Sequence, residues 1–140
     1  MKYVYRVTLS KAPEGGFTAV FPDFAGAVTQ GDTRADTLTN ATDALLAMLA
    51  MIVANGHAVP IPSGGGGPTV VVPPLAAAKI ALYRAMHDAG MSKVELARRL
   101  GVTEGAVRKL LNPNHRSHID KVSAALALFG REIEVHEQAA

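Results

Sequence analysis

An α+β fold in two parts is predicted for this chain of 140 residues. Three observations predict it. Apolar and polar residues alternate through residues 2–11 and 17–21, the period of a half-buried strand. Apolar residues then recur at helical spacing over residues 33–54, and again in several shorter runs from 75 to 129. Between the two helical regions lies P-I-P-S-G-G-G-G-P-T at 60–69, a proline-bounded glycine run that reads as flexible coil. The predicted division is therefore a first unit at 1–62, a linker at 63–73 and a second unit at 74–140.

In the first unit Tyr3, Tyr5, Val7 and Leu9 face one way and Lys2, Arg6 and Thr8 the other. A turn at 12–16 leads to a second strand with Phe17, Ala19 and Phe21 on one side, so the two runs read as a hairpin. Residues 22–26 break the strand, and 27–30 form a short third one ended by Gly31. Thr33 opens a long helix, with Asp36 three residues on in a capping-box arrangement. Leu38, Ala41, Leu45, Leu49 and Ile52 form its apolar stripe, widened by Leu46, Met48 and Val53, and Asn55-Gly56 ends it. The order β-β-β-α gives one helix on a small antiparallel sheet whose open edges can accept a partner strand. Residues 69–72 either complete that sheet or lead into the second unit; Pro73-Pro74 ends them, since neither proline donates to a ladder.

The second unit begins with a helix at 75–89, with Ile80, Leu82, Tyr83 and Met86 as its core face. Two short helices follow. Ser92 caps the first, with Glu95 completing a capping box, and Val94, Ala97 and Leu100 make its stripe. Gly101 falls where the chain must turn sharply, and Thr103 caps the next helix. Ala106, Val107, Leu110 and Leu111 face inward there, leaving Glu104, Gly105, Arg108 and Lys109 outside. Two short helices joined at a glycine turn, the second with a polar and basic outer face, is the helix-turn-helix plan. A last helix at 118–129 presents Ile119, Val122, Leu126 and Phe129 inward. Residues 131–136 then alternate like a strand, which pairing with its own copy in a second subunit would satisfy.

Charge assigns the partners. Residues 1–73 carry four basic and five acidic side chains, residues 74–140 ten and seven. From Ser92 to Lys121 seven basic residues stand against three acidic ones, a net +4 that suits a phosphate backbone. Glu104, Gly105, Arg108 and Lys109 are the candidates for base edges: Arg108 or Lys109 to guanine, Glu104 accepting from cytosine. Ser92, Lys93, Thr103, Asn112, His115 and Arg116 are the candidates for phosphate contacts that set register.

Other chemistries find less support. Glu14 sits in a turn and Asp23 in a loop, while Asp32 and Asp36 sit at a helix start, where negative charge complements the dipole. No catalytic residue is assigned. His115 and His118 are three apart without a third ligand, and there is no cysteine, so no metal site and no cofactor is expected. The glycine run is followed by no Lys-Ser/Thr, which argues against a phosphate loop. No signal-peptide core opens the chain, and no apolar run approaches the roughly 18 residues that span a bilayer, so a cytoplasmic protein without a membrane partner is expected.

The run G-G-F-T-A-V-F-P-D-F-A-G-A-V-T-Q-G-D-T resembles the HicB family of antitoxins. P-P-L-A-A-A-K-I-A-L-Y, S-K-V-E-L-A-R-R-L-G-V and L-L-N-P-N-H-R-S-H-I-D resemble the helix-turn-helix tail that many members carry. Ala27 stands where many members have cysteine. The resemblance implies a partial, degenerate ribonuclease-H-like first domain without nuclease activity. That domain would bind a small HicA-type toxin, an mRNA-cleaving ribonuclease, and cover its active site. It implies a helix-turn-helix tail that binds double-stranded operator DNA and represses the pair's own operon. The residue pattern itself predicts an all-α second domain with a terminal strand and a homo-oligomer, a dimer or dimer of dimers. Two other readings stay open: a stand-alone repressor whose first domain senses a small molecule, and an enzyme remnant that still hydrolyses nucleic acid.

Overall fold

The computed structural model describes residues 1–139, and the α+β layout is as expected. The elements run β1 (Val4–Arg6), β2 (Thr8–Lys11), β3 (Phe17–Val20), β4 (Val28–Gly31), α1 (Arg34–Ala54), β5 (Thr69–Val71), α2 (Pro74–Asp88), α3 (Lys93–Leu100), α4 (Glu104–Leu111) and α5 (Ile119–Ala127).

The single strand expected at 2–11 is two strands. β1 pairs antiparallel with β5, with Tyr5 opposite Val70, whereas β2 pairs with β3 and β3 with β4. The break falls at Val7, whose N–H leaves the ladder and donates to the Pro68 carbonyl at 3.0 Å. Alternation survives the break, so Tyr5 and Val7 are both buried. Residues 69–71 thus belong to the first unit's strands, one of the two outcomes left open. Tyr5, Phe24 and Phe21 meet edge to face, with ring centroids 4.8 and 6.1 Å apart.

α1 begins as expected. The Thr33 hydroxyl accepts from the Asp36 N–H at 3.0 Å, and Ala41, Leu45, Leu49 and Val53 are buried. Leu38, Leu46, Met48 and Ile52 lie at the margin of that face. By length and composition α1 could cross a membrane, against the expectation that no stretch reaches that length. Its leucines, with Ile52 and Val53 among the alanines, give it that character, and here it is the core helix lying along β4 and β3. Two tyrosine hydroxyls tie down the segment after it: Tyr83 donates to the His57 carbonyl at 2.6 Å, and Tyr5 to that of Pro60 at 2.7 Å. Burial pushes both phenols up, that of Tyr5 to about 12. The glycine run is seated as well. Gly65, at φ +101°, takes a backbone conformation that other residues rarely adopt, and a Cβ there would press on Arg6 Cδ at 3.1 Å.

Three side chains read as inward face outward instead. Val94 is 62% exposed, while Leu96 and Ala97 are buried. Each three-residue step falls about 60° short of a full turn, so Val94, Ala97 and Leu100 cannot share one narrow face. The buried arc runs through Leu96, Leu100 and Ala97. Ala106 is exposed beside buried Val107, and Ile119 is exposed while Val122, Ala125 and Leu126 are buried. The strand expected at 131–136 does not form in the single chain; Ile133 rests partly on the core and Val135 is exposed.

Candidate nucleic-acid interface

The α3–turn–α4 segment is built by local chemistry. The Ser92 hydroxyl accepts from the Glu95 N–H at 3.1 Å, and that of Thr103 accepts from the Ala106 N–H at 3.1 Å. Each satisfies one of the donors that a helix start leaves unpaired. Gly101, at φ 68° and ψ 33°, closes α3 in the left-handed region that glycine enters without strain. Val107, Leu110 and Leu111 anchor α4.

The sequence-predicted base-reading residues emerge on one surface. Gly105, Arg108 and Lys109 are exposed and Glu104 is half-buried. A Cβ on Gly105 would meet only the Thr103 hydroxyl, at 3.9 Å, so the first turn of α4 is bare. Arg108 is not free: its guanidinium donates to Glu104 at 2.7 Å. Arg98 and Arg99 share Glu95, at 2.9 and 3.0 Å. The reciprocal half of the Ser92 capping box is therefore not made, since the Glu95 carboxylate is spent on arginines. Of the predicted phosphate contacts, Ser92, Thr103, Asn112, His115 and Arg116 are exposed and Lys93 half-exposed. The Asn112 side chain accepts from the Asn114 N–H at 2.9 Å, which shapes the loop behind α4. Lys109, His115, Arg116, His118 and Lys121 rim a groove of about 420 Å³ floored by Val102, Leu110 and Ala124.

Hydrogen bonds to Arg98 first, and then Arg99, hold the Glu95 carboxyl down to about 2 from an ordinary 4.5. A carboxyl lowered in the folded chain contributes stability above its ordinary value and loses it as pH falls toward the folded one. The expected result is a Glu95 Cδ resonance that titrates near pH 2, moving toward 4.5 in Arg98→Ala. A midpoint near 4.5 in the unaltered chain would show that the pair does not form in solution.

One residue at this surface escaped the sequence. Lys79, on α2, is 0% exposed, and its ammonium donates to the carbonyls of Lys109, Asn112 and His115. It occupies an inward position of the 75–89 periodicity, and nothing local in the sequence marks its acceptors, which lie thirty or more residues on.

Elsewhere Glu14, Asp32 and Asp36 line an open cleft of about 580 Å³, while Asp23 is drawn away to the Ser63 N–H and hydroxyl. No cluster of three or more histidine and carboxylate groups able to hold a metal occurs among the described residues.

A strand-and-helix unit, continued by a helical region that turns a capped, basic helix outward, defines the class: an α+β protein with an appended helical module. A family model described as HicB_like antitoxin of bacterial toxin-antitoxin system matches residues 4–81, and the chain belongs to that family. Antitoxin HicB of Escherichia coli K12 is 35% identical over 133 residues, spanning 94% of this chain and 96% of its own. Antitoxin HicB 1 of Photorhabdus laumondii is 34% identical over 129 residues, spanning 92% and 83%. Antitoxin HicB of Pseudomonas fluorescens is 37% identical over 113 residues, spanning 79% and 77%.

Proposed function

We propose that this chain is the antitoxin of a toxin–antitoxin pair: it neutralises a HicA-type mRNA-cleaving ribonuclease and represses its own operon through α4. Family membership supports the antitoxin role. The observation that carries the operator role is the outward basic face of α4, capped at its start and backed by a loop bearing His115 and Arg116. In this reading the first unit, residues 1–62 with β5, holds the toxin. Its acidic cleft at Glu14, Asp32 and Asp36 suits a cationic nuclease. Residues 74–140, joined to it through 63–73, hold the duplex. α4 enters the major groove with Glu104, Gly105, Arg108 and Lys109 at base edges. Ser92, Lys93, Thr103, Asn112, His115 and Arg116 grip phosphates. Glu104 orients Arg108 until a guanine takes the guanidinium. The protein works in the cytoplasm, without catalysis of its own, and residues 131–136 pair with their copy so that a two-fold dimer meets a palindromic site.

Co-expression with the protein of the neighbouring frame tests the first role. Cells survive that toxin only when this chain accompanies it, and the two co-purify; failure of both rejects the antitoxin reading. Binding to the DNA upstream of the operon tests the second. Arg108→Ala is expected to cost about 1–3 kcal/mol and relax preference at one base pair, whereas Arg116→Ala weakens all DNA alike and lowers the salt slope by about one. The opposite pattern in a competition assay would invert the assignment.

A further inference from the structure

α4 ends without the usual device. Many helices close on a glycine in the left-handed region, but the residue after α4 is Asn112, extended at φ −74° and ψ 113°, followed by buried Pro113. The last carbonyls of a helix have no partner within it. Here the partner comes from another helix. The Lys79 ammonium reaches the Lys109 carbonyl at 2.9 Å, the Asn112 carbonyl at 3.1 Å and the His115 carbonyl. An ammonium has three N–H donors, and all three are spent. Among the described residues no carboxylate pairs with it; the charge is balanced by carbonyl dipoles, including the negative end of α4. Burial lowers its pKa, the direction expected of a cation held away from water.

The three acceptors are not equivalent. Lys109 belongs to the helix proposed to read bases; Asn112 and His115 belong to the loop proposed to grip phosphates. One buried side chain therefore fixes the spacing between those two sets of contacts. We infer that Lys79 is a positioning residue for sequence-specific DNA binding: it holds α4 and the loop at 112–116 in the one relative placement that lets both engage a duplex at once. This rests on the operator role proposed above. Non-specific binding is electrostatic and tolerates displacement of the loop, whereas base reading does not. Lys79 should therefore govern the ratio of operator to non-operator affinity.

The test is made on the full chain. Lys79→Met keeps the length and apolar stem and removes the ammonium. Operator affinity is expected to fall by about tenfold or more while affinity for unrelated DNA changes by less than about twofold. A wild-type ratio in the variant overturns the inference, and so does an equal loss on both DNAs. The chain has no cysteine, so Lys79→Cys carries a unique thiol. Alkylated while unfolded with 2-bromoethylamine, the thiolate displaces bromide and the side chain regains an ammonium at nearly the original length; iodoacetamide gives a neutral adduct instead. Only the aminoethylated chain is expected to recover specificity, or, where the neutral form does not fold, to refold. Equal behaviour of the two adducts overturns the inference. A second readout needs no DNA: amide hydrogen exchange at 112–116 rises about tenfold in Lys79→Met, while α1 is unchanged. Unchanged exchange overturns the clamp itself. A wild-type chain with no preference for its upstream DNA instead overturns the operator role, and with it the DNA role of Lys79.

Discussion

Gly31→Ala is expected to destabilise the chain by about 3 kcal/mol and to lower its melting temperature by roughly 10 °C. The φ at Gly31 is not the reason. A Cβ there would lie 2.7 Å from the Thr37 backbone nitrogen, 2.8 Å from its hydroxyl and 2.9 Å from its Cα. Two of those atoms are backbone of the first turn of α1, and Thr37 is itself buried, with its hydroxyl donating to the Thr33 carbonyl at 2.7 Å. The clash cannot be relieved by a rotamer change, so β4 and α1 must separate along the seam where helix meets sheet. Gly66→Ala is the control: a Cβ there meets nothing within 4 Å. It should leave the melting temperature unchanged or raise it slightly. Thermal unfolding followed by circular dichroism compares the two, and equal melting temperatures would show that the seam is looser than described. Because the clash lies in the first unit, toxin neutralisation in the co-expression assay should suffer more than binding to upstream DNA.

Leu111→Ala is the counterpart in the second unit, with an expected cost of about 2–5 kcal/mol. Leu111 is the last residue of α4 and is 0% exposed. Its loss removes the anchor next to the carbonyls that Lys79 holds, so the cavity opens where α4 has least support of its own. Val94→Ala, on the exposed side of α3, should stay within about 0.5 kcal/mol of the parent. Guanidinium denaturation at matched m-values reads both. If Val94→Ala cost as much as Leu111→Ala, the buried face of α3 would be the one that strict three-residue spacing indicates, and the arc through Leu96 and Leu100 would be wrong.

How far the chain was legible depended on the range of the interaction. Ser92, Thr33 and Thr103 were readable as caps because each hydroxyl meets an N–H three residues on. The core faces of α1 and α2 were readable because helices of 21 and 15 residues average out an angular error. In the eight-residue α3 and α4 one misplaced step moves a side chain from core to solvent, as happened to Val94 and Ala106. The candidate DNA-facing residues were found because a polar face on a short amphipathic helix is a local pattern. What positions them was not.

The sequence by itself determined the α+β class, the caps, the turn at Gly101 and the basic residues that face out from α4, because each is settled within one or two turns of chain. Only the tertiary structure decided that the first strand divides at Val7 to serve two partners, that β5 returns to β1, and that Lys79 closes α4. In those cases a donor finds its acceptor dozens of residues away. Burial makes an unpaired polar group costly but does not say which distant carbonyl will satisfy it. Only the folded chain brings the two together.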